Sequence, residues 1–217
     1  MALALFDLDN TLLGGDSDYL WGQFLIELGV VDAKIQEREN QRFYDDYKNG
    51  TLDIDAFLAF QLAPLAQHPR AILDQWHQQF MAEKINAIML DKSKQLIQRH
   101  RDAGDTLLII TATNRFVTGP IAEAFGIDLL IATEPEEING EFSGAYSGTP
   151  CFREGKVTRI NEWLSNNNHD LANSHFYSDS HNDLPLLQMV DHPVAVDADE
   201  QLTAHAQNSG WEIISLR

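Results

Sequence analysis

The sequence has a single cysteine, Cys151, and few basic residues: 15 Lys and Arg stand against 33 Asp and Glu, a formal net charge of −18. One cysteine excludes an internal disulfide and any multi-cysteine metal site, so Cys151 reads as a packing residue in a chain suited to a reducing compartment. The acidic balance excludes nucleic acid and anionic membrane surfaces as the main partners, because both would be repelled. It also means that an anionic substrate needs local help from a metal or a lysine. No window approaches the roughly 18 apolar residues of a membrane span, and the N-terminal MALALFDLD lacks the basic leader and long apolar run of a signal peptide. A cytoplasmic protein is expected. Internal repeats and low-complexity tracts are absent as well.

What is present is a 217-residue chain, 44% hydrophobic, long enough for a well-buried core. Short runs of Leu, Ile and Val at Leu3 to Phe6, Leu107 to Ile110, Leu129 to Ala132, Phe176-Tyr177 and Val194 to Val196 read as strands. Helical patterns near 91–103, 114–125, 155–167, 182–190 and 199–208 alternate with them, which predicts an α/β fold built on a Rossmann-like parallel sheet. Residues from about 16 to 86 hold helical patterns and no strand-like run, the mark of an inserted α-helical unit. The expected division is a core of 1–15 and 87–217 with an insert of 16–86. Phe43, Tyr44, Tyr47, Phe57, Phe60 and Trp76 give that insert aromatic packing material. At 134–150 a smaller interruption carries Ile138-Asn139-Gly140-Glu141-Phe142, where Asn-Gly predicts a hairpin turn.

Ligands of open α/β sheets bind outside the carboxyl ends of the strands. Directly after strand runs come Asp7 and Asp9 in FDLDNT, Thr111, and Asp179 and Asp183 in SDSHND. Several carboxylates on one edge repel one another and either hold protons or recruit a cation, and oxygen-only ligands suit Mg²⁺. Asp7 can act as a carboxylate nucleophile, and Asp9 would share its side of the strand as a proton donor. Lys156, opening a helix after REG, can neutralise a transferring phosphoryl group while Thr111 gives it a hydroxyl hydrogen bond.

Taken together, DLDNT, the Thr closing LLIIT, the Lys opening a later helix and DSHND resemble the four ordered motifs of the haloacid dehalogenase-like phosphohydrolases, across nearly the whole chain. The resemblance implies that Asp7 forms an aspartyl-phosphate, that Asp9 protonates the leaving alcohol and then activates water, and that Thr111 and Lys156 complete the catalytic set. It further implies a Mg²⁺ cofactor held by Asp7, the backbone carbonyl of Asp9, and Asp179, with Asp183 helping directly or through water. Asn182 and Thr113 would bind substrate.

The insert resembles the helical cap of the phosphoserine-phosphatase-like branch. In that branch an acid nine positions after the nucleophile holds the substrate's amino group, which here is Asp16; the commoner fate of Asp16 or Asp18 is to cap the following helix. Where the branch carries an arginine for the substrate carboxylate, GTLDIDAFLA puts Ala59, though Arg38, Arg42 or Lys48 could replace it from another turn. An acid without the arginine suits an amine-bearing ester that has no carboxylate. The implied substrate is a small phosphorylated metabolite, histidinol phosphate first and phosphoserine as the alternative, acted on by a monomer or homodimer. A different class, an aspartyl-phosphate switch or binding protein, also uses an acidic pocket with a Thr and a Lys. Receiver domains, however, place their acceptor after a middle strand and have no helical cap, and Asp9 is a built-in hydrolytic base beside Asp7. Neither His181 nor the other histidines show ligand spacing.

Overall fold

The structure, a computed structural model, describes residues 2–217. It opens on strand β1, Leu3–Phe6, all four residues buried. The neighbours of β1 are β2 (Thr106–Asn114) and β5 (His175–Ser178), both parallel to it. Outward from β2 lie β3 (Leu129–Ile138) and antiparallel β4 (Glu141–Ser147); outward from β5 lie β6 (His192–Val196) and β7 (Glu212–Ile214). The order β4-β3-β2-β1-β5-β6-β7 is an α/β doubly wound sheet whose winding reverses at β1. Strand β7 is absent from the expected set because Glu212 and Ile213 are exposed, so no buried run marks it.

Side chains of β1 alternate between two cores. Ala4 and Phe6 join Ile109, Tyr177 and Val194 on one face, while Leu3 and Leu5 join Leu108, Ile110, Phe176 and Ala195 on the other. The second face is covered by α7 (Glu154–Asn167) and α9 (Glu200–Ser209) through Ile160, Leu164 and Leu202. The first is covered by α5 (Asp91–Ala103) and α6 (Arg115–Ala124). Between β5 and β6, where a helix over 182–190 is expected, there is a 3₁₀ turn, His181–Asp183, and a short α8, Leu184–Leu187.

Between β1 and β2 the chain forms α1 (Ser17–Glu27), α2 (Ala33–Asn49), α3 (Ile54–Leu62) and α4 (Arg70–Phe80), and adds no strand to the sheet. Asp16, Asp32 and Asp53 cap the first three, each carboxylate accepting a backbone N–H of the first turn. Trp21, Phe24, Leu58 and Phe80 of these helices belong to the same apolar cluster as Phe6 and Ile109, so one core runs from the sheet into the insert. Phe43 meets Phe57 and Phe60 in a further aromatic contact, and Phe57 also packs against that core. The expected hairpin joins β3 to β4, with Asn139 and Gly140 at φ of 54° and 84°, as a two-residue turn of this hand requires.

Candidate active site

Reversal of the winding at β1 leaves a crevice beyond its carboxyl end, and the chain leaves β1 there at Asp7. Residues Leu8–Leu12 form a tight turn in which Asn10 takes φ of 57°, burying Leu8, Thr11 and Leu12 and bringing Thr11 back over the strand end. The Asp7 N–H donates to the carbonyl of Tyr177 at 2.9 Å, fastening this turn to β5.

Lys156 Nζ donates to Asp7 Oδ1 and to Asp183 Oδ2, each at 2.8 Å, and all three residues are buried. Ser178 Oγ donates to the same Asp183 oxygen at 2.7 Å. The Thr11 hydroxyl lies 3.3 Å from Asp7 Oδ2 and 3.2 Å from Asp179 Oδ1, and it accepts the Asp179 N–H at 3.1 Å. The first turn of α7 sets Lys156 in place by close packing: a Cβ on Gly155 would stand 2.0 Å from the Pro150 carbonyl oxygen, so the position admits no side chain. Just before it, Arg153 holds φ of 50° and ψ of −120°, a conformation rare outside glycine, while its Nε donates to Asn182 Oδ1 at 2.8 Å.

Burial pushes the Asp7 carboxyl up to about 7, with Lys156 opposing the rise and Asp183 adding to it. Burial likewise holds Asp179 well above the ordinary carboxylate range, reinforced by Asp7 and Asp183. For Lys156 burial favours the neutral amine, but Asp183 and Asp7 outweigh it and keep the ammonium. One ammonium among these carboxylates leaves an excess of negative charge, and the Thr11 hydroxyl marks where Asp7 and Asp179 present oxygens to a common point. Among the described residues no three His, Cys, Asp or Glu side chains close on one point as a ligand set. The donor chemistry therefore fits a hard cation that takes two carboxylates and keeps water, as Mg²⁺ does, with Asp183 already engaged by Lys156 and Ser178.

Asp9 faces the start of α1. Its Oδ1 accepts the Ser17 N–H at 2.6 Å and its Oδ2 accepts the Thr113 hydroxyl at 2.8 Å. Burial raises it to about 6, with repulsion from Asp16 adding to the rise. Strand β2 runs past Thr111 to Asn114 with a register shift after Ile110, so Thr111 sits inside the strand rather than ending it. The Thr111 side chain is buried and its Oγ1 accepts the Thr113 N–H at 3.2 Å. The helix that follows is capped by Asn114, which accepts the Val117 N–H, not by Thr111. Asp16 caps α1, its Oδ1 accepting the Tyr19 N–H at 2.9 Å. Asn182 is buried at the rim, its Nδ2 3.4 Å from both the Tyr47 carbonyl and Ser180 Oγ.

Arg38 and Arg42, offered as substitutes for a cap arginine, pair instead with Glu39 on the exposed side of α2, and exposed Lys48 lies over the Tyr44 ring. Cys151 is fully buried, which pushes its thiol up to about 12 and keeps it a packing residue. His181 pairs through Nδ1 with Asp199 Oδ2 at 2.8 Å and so ties the loop after β5 to the α9 cap.

Sequence reasoning passed over Thr11, Ser178, Ser180, Tyr47 and Arg153. Thr11 and the two serines lie within the quoted motifs DLDNT and SDSHND, and their adjacency to the acids was the available signal. Tyr47 reaches the site from α2, donating its hydroxyl to Ser180 Oγ at 2.6 Å, a contact 133 residues apart that no local pattern marks.

The sequence matches a model of the haloacid dehalogenase-like hydrolase family over residues 4–188. It is 47% identical to a histidinol-phosphatase of Neisseria meningitidis serogroup C over 99% of both chains. It is 31% identical to a phosphoserine phosphatase of Mycobacterium tuberculosis, spanning all of this chain and 71% of that one. A crystal structure of a protein with unknown function from Bordetella pertussis Tohama I superposes with a TM-score of 0.93 at 44% identity, covering 100% of this chain and 99% of the other. With these likenesses spanning the sheet, the insert and every residue of the crevice, the chain belongs to the haloacid dehalogenase-like hydrolase family.

Proposed function

We propose that this phosphatase hydrolyses histidinol phosphate, with Asp7 as nucleophile and Mg²⁺ as cofactor. The observation that supports the chemistry is the Asp7 carboxylate at the switch point of the sheet, bracketed by Lys156 and Thr11, with Asp9 hydrogen-bonded two residues on. The choice of substrate rests on the meningococcal histidinol-phosphatase, the relative aligned end to end with this chain.

An Asp7 carboxylate oxygen attacks phosphorus, and the P–O bond to the substrate alcohol breaks as Asp9 gives that oxygen its proton. Water then attacks the aspartyl-phosphate; Asp9 takes back a proton, the bond to Asp7 breaks, and inorganic phosphate leaves. A carboxyl raised to about 6 is matched to both duties, since it is neither fully protonated nor fully ionised near neutral pH. Lys156 opposes the effect of burial on Asp7 and so favours its anion, and it faces the charge that builds on the phosphoryl oxygens. Asp7, the Asp9 carbonyl and Asp179 would hold Mg²⁺, with Asp183 helping directly or through water; the ion would supply charge neutralisation for the phosphoryl group. Thr111, Thr113 and Asn182 complete the phosphate-facing surface. Helices α1 to α4 act as the cap, and the enzyme works in the cytoplasm as a monomer or homodimer.

Phosphoserine is the second reading, favoured by the mycobacterial relative. A phosphate-release panel of histidinol phosphate, phosphoserine, a nucleoside monophosphate and a sugar phosphate, each with Mg²⁺ or EDTA, decides between them. Histidinol phosphate is expected to lead, and both EDTA and Asp7→Asn to remove activity by at least about a thousandfold. Turnover that survives the chelator and the substitution refutes the mechanism, and a clear lead for phosphoserine refutes the substrate.

A further inference from the structure

Beside the crevice, Arg153 holds a backbone conformation that suits glycine better than arginine, with φ of 50° and ψ of −120°. Its carbonyl accepts the Lys156 N–H at 2.9 Å, so this conformation opens the turn that carries Lys156. Glycine would serve that turn with less strain, having no Cβ to crowd the backbone. What arginine adds is its side chain, and the contacts of that side chain indicate its use.

The guanidinium is half-buried and lies between two segments far apart in sequence. Its Nε donates to Asn182 Oδ1 at 2.8 Å, in the loop after β5. Its Nη2 stands 2.9 Å from where a Cβ on Gly50 would lie, so the bare Gly50 at the C-terminal end of α2 leaves it room. A cation there is also favoured by the dipole of α2. A guanidinium can only donate, so the oxygen of the Asn182 amide is the atom held toward Arg153 and the NH₂ group is turned the other way. On that side Nδ2 meets the Tyr47 carbonyl and Ser180 Oγ at 3.4 Å each, long contacts for a donor in a buried side chain. Asn182 therefore has its acceptor committed to one strong bond and its donor only weakly engaged, between Ser180 and Asp183 of the same loop.

Resting on the proposed reading of this crevice as the phosphate site, and deepening it, we infer that Arg153 is a positioning residue for phosphate binding: acting through Asn182, it turns an amide donor toward the phosphoryl oxygens. An amide rotated by half a turn would face a phosphate dianion with its own oxygen, a repulsive contact in place of a hydrogen bond. The bond from Arg153 to Oδ1 removes that state before substrate arrives. Arg153 acts on the phosphate half of the ester alone, so its effect does not depend on which alcohol the phosphate carries.

Wild type, Arg153→Gly, Arg153→Lys, Asn182→Ala and the double variant Arg153→Gly with Asn182→Ala are compared with Mg²⁺ on histidinol phosphate and p-nitrophenyl phosphate, with inorganic phosphate as a competing ligand. Glycine suits the backbone at position 153, so the thermal midpoint of Arg153→Gly is expected to stay within about 3 °C of wild type. Its KM on both esters and its inhibition constant for phosphate are expected to rise together by about 5- to 30-fold, with kcat changed less than about threefold. Arg153→Lys keeps a cationic donor and is expected to recover part of that loss. Added to Asn182→Ala, Arg153→Gly is expected to cost less than about a further twofold, because the residue it acts through has gone. Wild-type kinetics in Arg153→Gly overturn the inference. So do a full further loss on top of Asn182→Ala, a loss confined to one ester, and a fall in kcat with a lowered midpoint that lysine does not restore, the behaviour of a structural residue. Asp7→Asn, assayed in parallel, separates the two readings: if it retains turnover, the crevice reading falls and this inference with it, whereas an inactive Asp7→Asn beside an unaffected Arg153→Gly overturns this inference alone.

Discussion

Lys156 carries opposing demands on a single nitrogen: it holds two carboxylates, Asp7 and Asp183, at 2.8 Å each in a place closed to water. Removing one partner from such a buried group is costlier than never having built it, since the other charges remain. Lys156→Ala is expected to lower the stability of the metal-free protein by about 3–5 kcal/mol, read from urea unfolding. A loss below about 1 kcal/mol, the range of exposed ion pairs, would mean that the crevice is wet and its charges screened. Asp7, Lys156, Asp179 and Asp183 were legible in the sequence because each follows or opens an element whose pattern is strong. Thr11, Ser178 and Ser180 were not, because a hydroxyl's role depends on which acid the fold brings within 3.3 Å. Nor could pattern say which acid of GDSD caps α1 and which stays unpartnered, as both spacings are compatible with a cap.

At the scale of elements, the start of α7 shows how packing rather than propensity delivers Lys156 to the crevice. Gly155 lies where any Cβ would overlap the Pro150 carbonyl, so Gly155→Ala must shift the first turn and Lys156 with it. The expected outcome is a fall in kcat of at least about tenfold with the fold retained; circular dichroism paired with turnover checks this, and full activity would show that the turn relaxes without moving the lysine. A gentler test belongs to α2, where Tyr47→Phe removes the hydroxyl that meets Ser180. It should raise KM several-fold and cost stability only about 1 kcal/mol, the net worth of one hydrogen bond; a change confined to kcat would place Tyr47 in the chemistry instead. The strand and helix order was readable because buried parallel strands are continuous apolar runs and the helices between them are amphipathic. Thr111 was misplaced by one structural detail, the bulge that carries β2 on to Asn114, and β7 was missed because an exposed edge strand leaves no such run.

The whole molecule responds to pH through the crevice. Asp7 and Asp9 sit at about 7 and about 6 when folded, against an ordinary 3.8. The folded protein thus binds their protons more tightly than the unfolded chain does, so this stability is complete below about pH 4 and is lost as pH rises through 6 to 7. Mg²⁺ held at Asp7 would compete with its proton and is expected to raise the thermal midpoint strongly at pH 8 and little at pH 5; equal shifts at both would separate the cation from this acid. The net charge of −18 acts over a longer range. A phosphate dianion approaches against it, so kcat/KM at fixed Mg²⁺ should rise with added KCl until screening is complete.

The place of β1 has a consequence for how the chain is made. Leu3 to Phe6 are made well before their neighbours in the sheet, Thr106 to Ile109 on one side and His175 to Tyr177 on the other. Until some 170 further residues have emerged, this strand is apolar on both faces and unpaired along at least one edge. Translational pausing before β5 is expected to lengthen the interval in which the unpaired strand can aggregate.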